Sequence, residues 1–318
     1  KTILTTLAFL WVAQLAAQNY PPFQAKVFDT TNTGYYFTCP IRVGPNPTGI
    51  RATHTILDHN GHLVYYRRFP ANVNSGDFRL QPNGLISFSV LGRFFFMDST
   101  FTVVDSAFCQ NGIFQDGHDV QLLPNGHYLL MGFENIPMDL SAYPFFNGNP
   151  GSPNASVKSG VIQELDADKN VVFEWHCADH YDFADVDPNT LNNPVNVDWT
   201  HLNAVEQDAD GNLLLSVRHF HEITKINRLD GSIMWRLGGK KNQFDFLNDP
   251  DMFLLQHDCR RIANGNITLF DNGDNGLPFH PAAGKEYQLD ESAMTANLVW
   301  SYVENDNSYS RALGSTQR

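Results

Sequence analysis

The chain has 318 residues with 34 acidic and 21 basic side chains, a formal net charge of −13 at pH 7. So few cations in an acidic chain argue against a nucleic-acid backbone or an anionic lipid surface as partner. A content of 42% hydrophobic and 13% aromatic residues excludes a disordered chain. Two domains would fit the length, but one all-β domain reaches this size, and its core needs neither disulfide nor metal.

Residues 1–18, KTILTTLAFLWVAQLAAQ, carry one cation, an apolar run from Ile3 to Val12, and small residues at Ala16 and Ala17. This pattern predicts a secretory signal peptide cleaved near Ala17 or Gln18, and hence an exported protein, periplasmic or secreted. The run is too short to span a bilayer, which makes a membrane anchor the weaker alternative. The remainder, 19–318, reads as one domain. Its four cysteines, Cys39, Cys109, Cys177 and Cys259, include no CxxC pair, which argues against a cysteine metal site. Export leaves three disulfide pairings open, but buried or partly paired thiols are the simpler expectation.

An internal repeat organises the rest. FRLQPNGLISFSV (78–90), VQLLPNGHYLLMG (120–132), AVEQDADGNLLLSV (204–217) and RRIANGNITLFDN (260–272) each read as apolar strand, tight turn, apolar strand. Their turn glycines are Gly84, Gly126, Gly211 and Gly265. A second hairpin pattern accompanies them at 54–68, 94–107, 160–176, 222–237 and 286–302, often ending on Trp. Helical periodicity is nearly absent. Two hairpins per repeat, in at least four or five successive units, predict four-stranded antiparallel blades and hence an all-β β-propeller, against a Greek-key sandwich as the competing arrangement. Ring closure needs one more blade than the repeats supply. Long connections rich in Asn, Pro and Gly at 134–159, 177–200 and 238–256 are expected to gather on one face, as structured loops over a binding site do.

Three histidines occupy one repeat position. His118 precedes Gly126 by eight residues, His257 precedes Gly265 by eight, and His201 precedes Gly211 by ten across a longer turn. Each is expected at the start of an innermost strand, at the mouth of the central channel. Gly76–Asp77 takes this place in the earlier repeat, and Asp also follows His in His118–Asp119 and His257–Asp258. The aspartate thus reads as scaffold and the histidine as the addition. Arg218 ends the hairpin that His201 begins, so the two share the mouth. His176, His180, His219 and His221 lack the registration and read as rim or structural residues. Three imidazoles with a guanidinium suit either of two chemistries. One is a three-histidine metal site serving a hydrolase or lyase. The other is an oxyanion site in which a neutral imidazole attacks a tetrahedral centre held by Arg and His donors. Arg218 favours the second.

At these residues the sequence resembles the arylsulfate sulfotransferase (arylsulfotransferase) family. The matching stretches are DGHDVQLLPNGHYLLMG (116–132), DWTHLNAVEQDADGNLLLSVRH (198–219), KINRLDGSIMWRLGGKKNQFDF (225–246) and LQHDCRRIANGNITLFDNG (255–273). The resemblance implies a six-bladed propeller moving a sulfuryl group from a phenolic sulfate to a phenol without the nucleotide donor PAPS, and no cofactor. His257 matches the family's nucleophile, which becomes sulfurylated. His118, His201 and Arg218 match the residues that hold the sulfuryl oxygens and assist proton transfer. A non-catalytic propeller binding a sulfated or phenolic ligand is the alternative.

Overall fold

The computed structural model describes residues 33–40, 51–71, 73–145, 148–274, 276, 279–303 and 308–317. The expected signal segment 1–18 lies outside them. The chain divides into two compact units, Lys1–Arg79 and Leu80–Arg318.

In the first unit, β1 (Tyr35–Thr38), β2 (Thr53–Asp58) and β3 (Leu63–Arg68) form an antiparallel meander. The buried His54 of β2 stacks on Phe78 with ring centroids 4.2 Å apart and hydrogen-bonds Ser75 Oγ at 2.7 Å. The division falls within β4 (Ser75–Leu80).

The second unit continues as β5 (Ile86–Val90), β6 (Arg93–Met97) and β7 (Val103–Ala107). A further meander follows: β8 (Phe114–Leu122), β9 (Tyr128–Met138), β10 (Ala155–Leu165) and β11 (Val171–His176), with the short β12 (Asn196–Asp198) added parallel to β10. Next come β13 (Leu202–Gln207), β14 (Leu213–Val217), β15 (Glu222–Ile226) and β16 (Ile233–Gly238). The last sheet comprises β17 (Asp245–Leu247), β18 (His257–Arg261), β19 (Ile267–Asp271), β20 (Ala283–Asp290) and β21 (Thr295–Val303), with β17 parallel to β21. The turn glycines of the four repeat hairpins have φ of 85°, 84°, 84° and 88°, a conformation that costs any other residue strain.

The packing follows from strands that are apolar on both faces. Leu129 and Met131 enter one core while Leu130, between them, enters another. Leu213 and Leu215 share the first of these cores, whereas Leu214 belongs to a third. Successive side chains point to opposite faces of a strand, so each inner sheet is buried on both sides by its neighbours, as propeller blades are. The fold is an all-β propeller. The expectation of six blades is corrected to five sheets among the described residues, the first of three strands and the others of four or five.

The first strands lie side by side and are linked through the aspartate read as scaffold. Asp119 Oδ2 accepts from the Val205 N–H of β13 at 2.8 Å and pairs with Arg260 Nη1 of β18 at 2.9 Å. The 134–159 connection is shorter than expected, because β9 and β10 extend to Met138 and from Ala155. Three single-turn 3-10 segments and β12 order the stretch 177–200. The four cysteines are free thiols, three of them buried. No helix among the described residues is long and apolar enough to cross a membrane.

Candidate active site

His257 begins β18, His201 immediately precedes β13, and His118 lies where the pairing of β8 with β9 is interrupted between Gln115 and Val120. All three are at the same end of adjacent first strands, and the fold brings them together. The His118 ring centroid is 5.4 Å from that of His201 and 6.0 Å from that of His257. One nitrogen from each of the three lies within 4.8 Å of the others. Arg218 follows β14 directly, and its N–H donates to the His201 carbonyl at 3.2 Å, which places it at the same end.

Each histidine is held at Nδ1 by an acceptor. Asp116 Oδ1 is 2.6 Å from Nδ1 of His118 and also accepts the His118 backbone N–H at 2.9 Å. Asp198 Oδ2 is 2.5 Å from Nδ1 of His201. Asn272 Oδ1, in a fully buried side chain, is 2.6 Å from Nδ1 of His257. With Nδ1–H donated outward, Nε2 is the nitrogen left for chemistry. That of His257 accepts the Leu313 N–H at 3.2 Å. Asp258, as its neighbouring position on the strand requires, does not orient His257 and bonds Arg260 Nε at 2.8 Å.

The surroundings drive the histidines apart in proton affinity. Burial pushes His257 down to about 3, the positive neighbours His118 and Arg218 adding to the effect, so it is neutral. Burial also lowers His201, with His118 and Arg218 acting in the same direction against the pull of Asp198. For His118 burial works the same way but is outweighed by Asp116, and its pKa is raised. Asp116 is held down at about 2: burial opposes ionisation, and the paired His118 and Lys158 overcome it. Burial lowers Arg218, whose side chain sends Nη2–H to the Arg311 carbonyl at 3.0 Å while Nε is buried with no hydrogen-bond partner among the described residues. An orphaned buried donor of this kind costs about 1–3 kcal/mol, and a bound anionic oxygen would satisfy it.

Several members of the site carry no signal in the repeat alignment. Asp116 and Asp198 stand two and three residues before their histidines, not after, so attention to the following aspartate passes over them. Asn272 was visible only as the end of a hairpin, and Leu313 lies in a segment without strand pattern. His219, expected as a rim or structural residue, is buried with its ring 4.7 Å from that of His201 and donates Nδ1–H to the Asp198 carbonyl at 2.8 Å. His176 bonds Glu134, His180 stacks on Trp175, and His221 bonds Asp187.

A family model described as arylsulfotransferase (ASST) matches residues 13–318. The chain belongs to the arylsulfotransferase family. Arylsulfate sulfotransferase AssT of Escherichia coli O6:H1 (strain CFT073) is 28% identical over 137 residues, covering 33% of this chain and 23% of that protein; the match thus spans less than a quarter of that relative's length. Solved structures similar to this arylsulfotransferase chain include a protein of unknown function from Bacteroides caccae (12% identity, TM-score 0.45, 80% of this chain and 70% of that one). Another is virginiamycin B lyase from Staphylococcus aureus (11% identity, TM-score 0.41, 80% and 63%).

Proposed function

We propose that this protein transfers a sulfuryl group from a phenolic sulfate ester to a phenolic acceptor, without a nucleotide donor, through a sulfurylated His257. The observation that carries the reading is the convergence of three histidines, each anchored at Nδ1, beside the orphaned Nε–H of Arg218. In the first step the lone pair on Nε2 of His257 attacks sulfur and the S–O bond to the aryl group breaks. The electron pair leaves on the aryl oxygen, which takes a proton from the His118 imidazolium. In the second step the acceptor phenol gives its proton to neutral His201, its oxygen attacks sulfur, and the N–S pair returns to His257. The proton then passes from His201 to His118, whose ring centroids are 5.4 Å apart, and restores the starting protonation states. The divergent proton affinities support this division between acid and base. Arg218 receives charge accumulating on the sulfuryl oxygens. The Leu313 N–H must release the Nε2 lone pair before attack, at a cost of about 1 kcal/mol for one amide contact. Residues 1–18 support export of the mature protein to the periplasm or the exterior.

A second reading has one observation in its favour. Three histidines anchored at Nδ1 and converging through Nε2 also suit a metal-dependent hydrolase or lyase. A single experiment separates the two. Incubation with 4-nitrophenyl sulfate, with and without phenol and a chelator, is expected to release 4-nitrophenol faster with phenol and regardless of chelation. Mass spectrometry of the quenched reaction is expected to find one sulfuryl group on a peptide containing His257. Loss of turnover on chelation supports the metal reading, and binding without turnover a ligand-binding module.

A further inference from the structure

Lys158 lies on β10 between two strands that carry the histidine-holding carboxylates. Its backbone is in register with Asp198 on β12. Its ammonium is 3.8 Å from Asp198 Oδ1 and 3.9 Å from Asp116 Oδ2, and 4.2 Å from the Phe133 ring centroid. These separations exceed direct hydrogen bonds, so the ammonium acts as a charge shared by both carboxylates, steadied by the aromatic face. The opposite oxygen of each carboxylate, Asp116 Oδ1 and Asp198 Oδ2, holds a histidine. Asp198 Oδ1 is buried without a hydrogen-bond partner among the described residues, which leaves Lys158 as the cation facing it. We propose that Lys158 is a positioning residue for the transfer reaction: one ammonium ties together the two carboxylates that orient His118 and His201, and so sets both histidines at once.

The physical argument concerns like charges. Asp116 and Asp198 come from different strands and flank the same small recess, whose wall includes Phe133, Lys158 and His201. Without a cation between them, the carboxylates repel one another, and each draws its histidine further toward the charged form. His201 would then be protonated at a pH where it must accept a proton. The charged and titratable groups facing this network are Asp116 and His118 from β8, Asp198 from β12, His201, Arg218 and His219 from the turn after β14, and His257 from β18. Lys158 reaches the reacting atoms only through the carboxylates.

This inference rests on the sulfuryl-transfer reading for its kinetic test and on nothing but the structure for its spectroscopic one. In the full chain, Lys158→Met is expected to lower kcat for 4-nitrophenyl sulfate at pH 7 about tenfold or more, with KM changed less than twofold. The acidic limb of its pH profile should move upward by about one unit, and Lys158→Arg should restore kcat to within about threefold. Imidazole NMR titrations should show His118 and His201 both gaining proton affinity in Lys158→Met, with the thermal midpoint and circular dichroism close to wild type. Unchanged titrations and kinetics in Lys158→Met would overturn the proposal, as would a loss that Lys158→Arg fails to restore. If the wild type transfers no sulfuryl group, the functional reading fails while the titrations still decide the role of Lys158.

Discussion

Asn272 and His257 fix one another's orientation, and Leu313 fixes both. The Asn272 Nδ2 is 2.8 Å from the Leu313 carbonyl, an acceptor only, so the amide oxygen must face His257 Nδ1 and that nitrogen carries the proton. The Leu313 N–H, a donor only, reaches Nε2 of the same ring and requires a lone pair there. Two independent hydrogen bonds therefore agree on one tautomer, the one in which Nε2 keeps its lone pair, as the proposed attack on sulfur requires. Asn272→Ala removes one of these constraints. It is expected to lower kcat about 10–100-fold, as loss of a histidine's orienting partner does, with a smaller effect on KM. Steady-state kinetics with a thermal melt as fold control checks this, and a wild-type kcat would refute it.

His118 is assigned as the acid because Asp116 outweighs burial and raises its pKa. His118→Gln should therefore discriminate between leaving groups. Transfer from phenyl sulfate, whose phenolate needs the proton, is expected to fall about 10²–10⁴-fold. Transfer from 4-nitrophenyl sulfate, whose leaving group needs it less, should fall much less. Equal losses for both donors would remove His118 from the proton-transfer step.

The proposed mechanism requires His257 and His201 neutral and His118 protonated. The first two have lowered pKa values and the third a raised one. The kcat/KM profile is thus expected to be a bell, its acidic limb below the ordinary histidine value of 6.5 and its basic limb above it. A profile that rises monotonically through pH 6.5 to 9 would contradict the assignment.

Stability carries a related pH signature. His257 and His219 are each pushed to about 3 from 6.5, chiefly by burial. Between those values the unfolded chain binds more protons at these positions than the folded one, so their contribution to stability rises with pH and is lost on acidification. Denaturant midpoints are expected to fall as pH drops from 6.5 toward 3. The fall should be smaller in His219→Phe if that ring's burial in neutral form is one of its causes.

Gly132 tests the packing beside the site. A Cβ there would lie 2.5 Å from Ile113 Cγ2, 2.7 Å from the Phe114 carbonyl oxygen and 2.8 Å from Cys109 Sγ. The backbone oxygen cannot swing aside as a flexible side chain can. Gly132→Ala is expected to destabilise the fold by about 2 kcal/mol, measured by denaturant unfolding, whereas a neutral effect would mean that β8 and β9 can separate freely.

The sequence by itself determined the all-β repeat, the turn glycines, and the registration of His118, His201 and His257, because these depend on local periodicity and on a spacing that recurs from one repeat to the next. It also separated the scaffold aspartate from the added histidine, and Asp119 does bridge neighbouring sheets. Only the tertiary structure decided which residues orient the three rings. Asp116, Asp198, Asn272 and Leu313 reach them through a strand interruption, an added parallel strand, the far end of a hairpin and a segment some 40 residues further on in the chain. Proton affinity was likewise out of reach of pattern: one residue type at one repeat position acquires a raised pKa in one case and lowered values in two, because burial and the balance of all the surrounding charges are properties of packing.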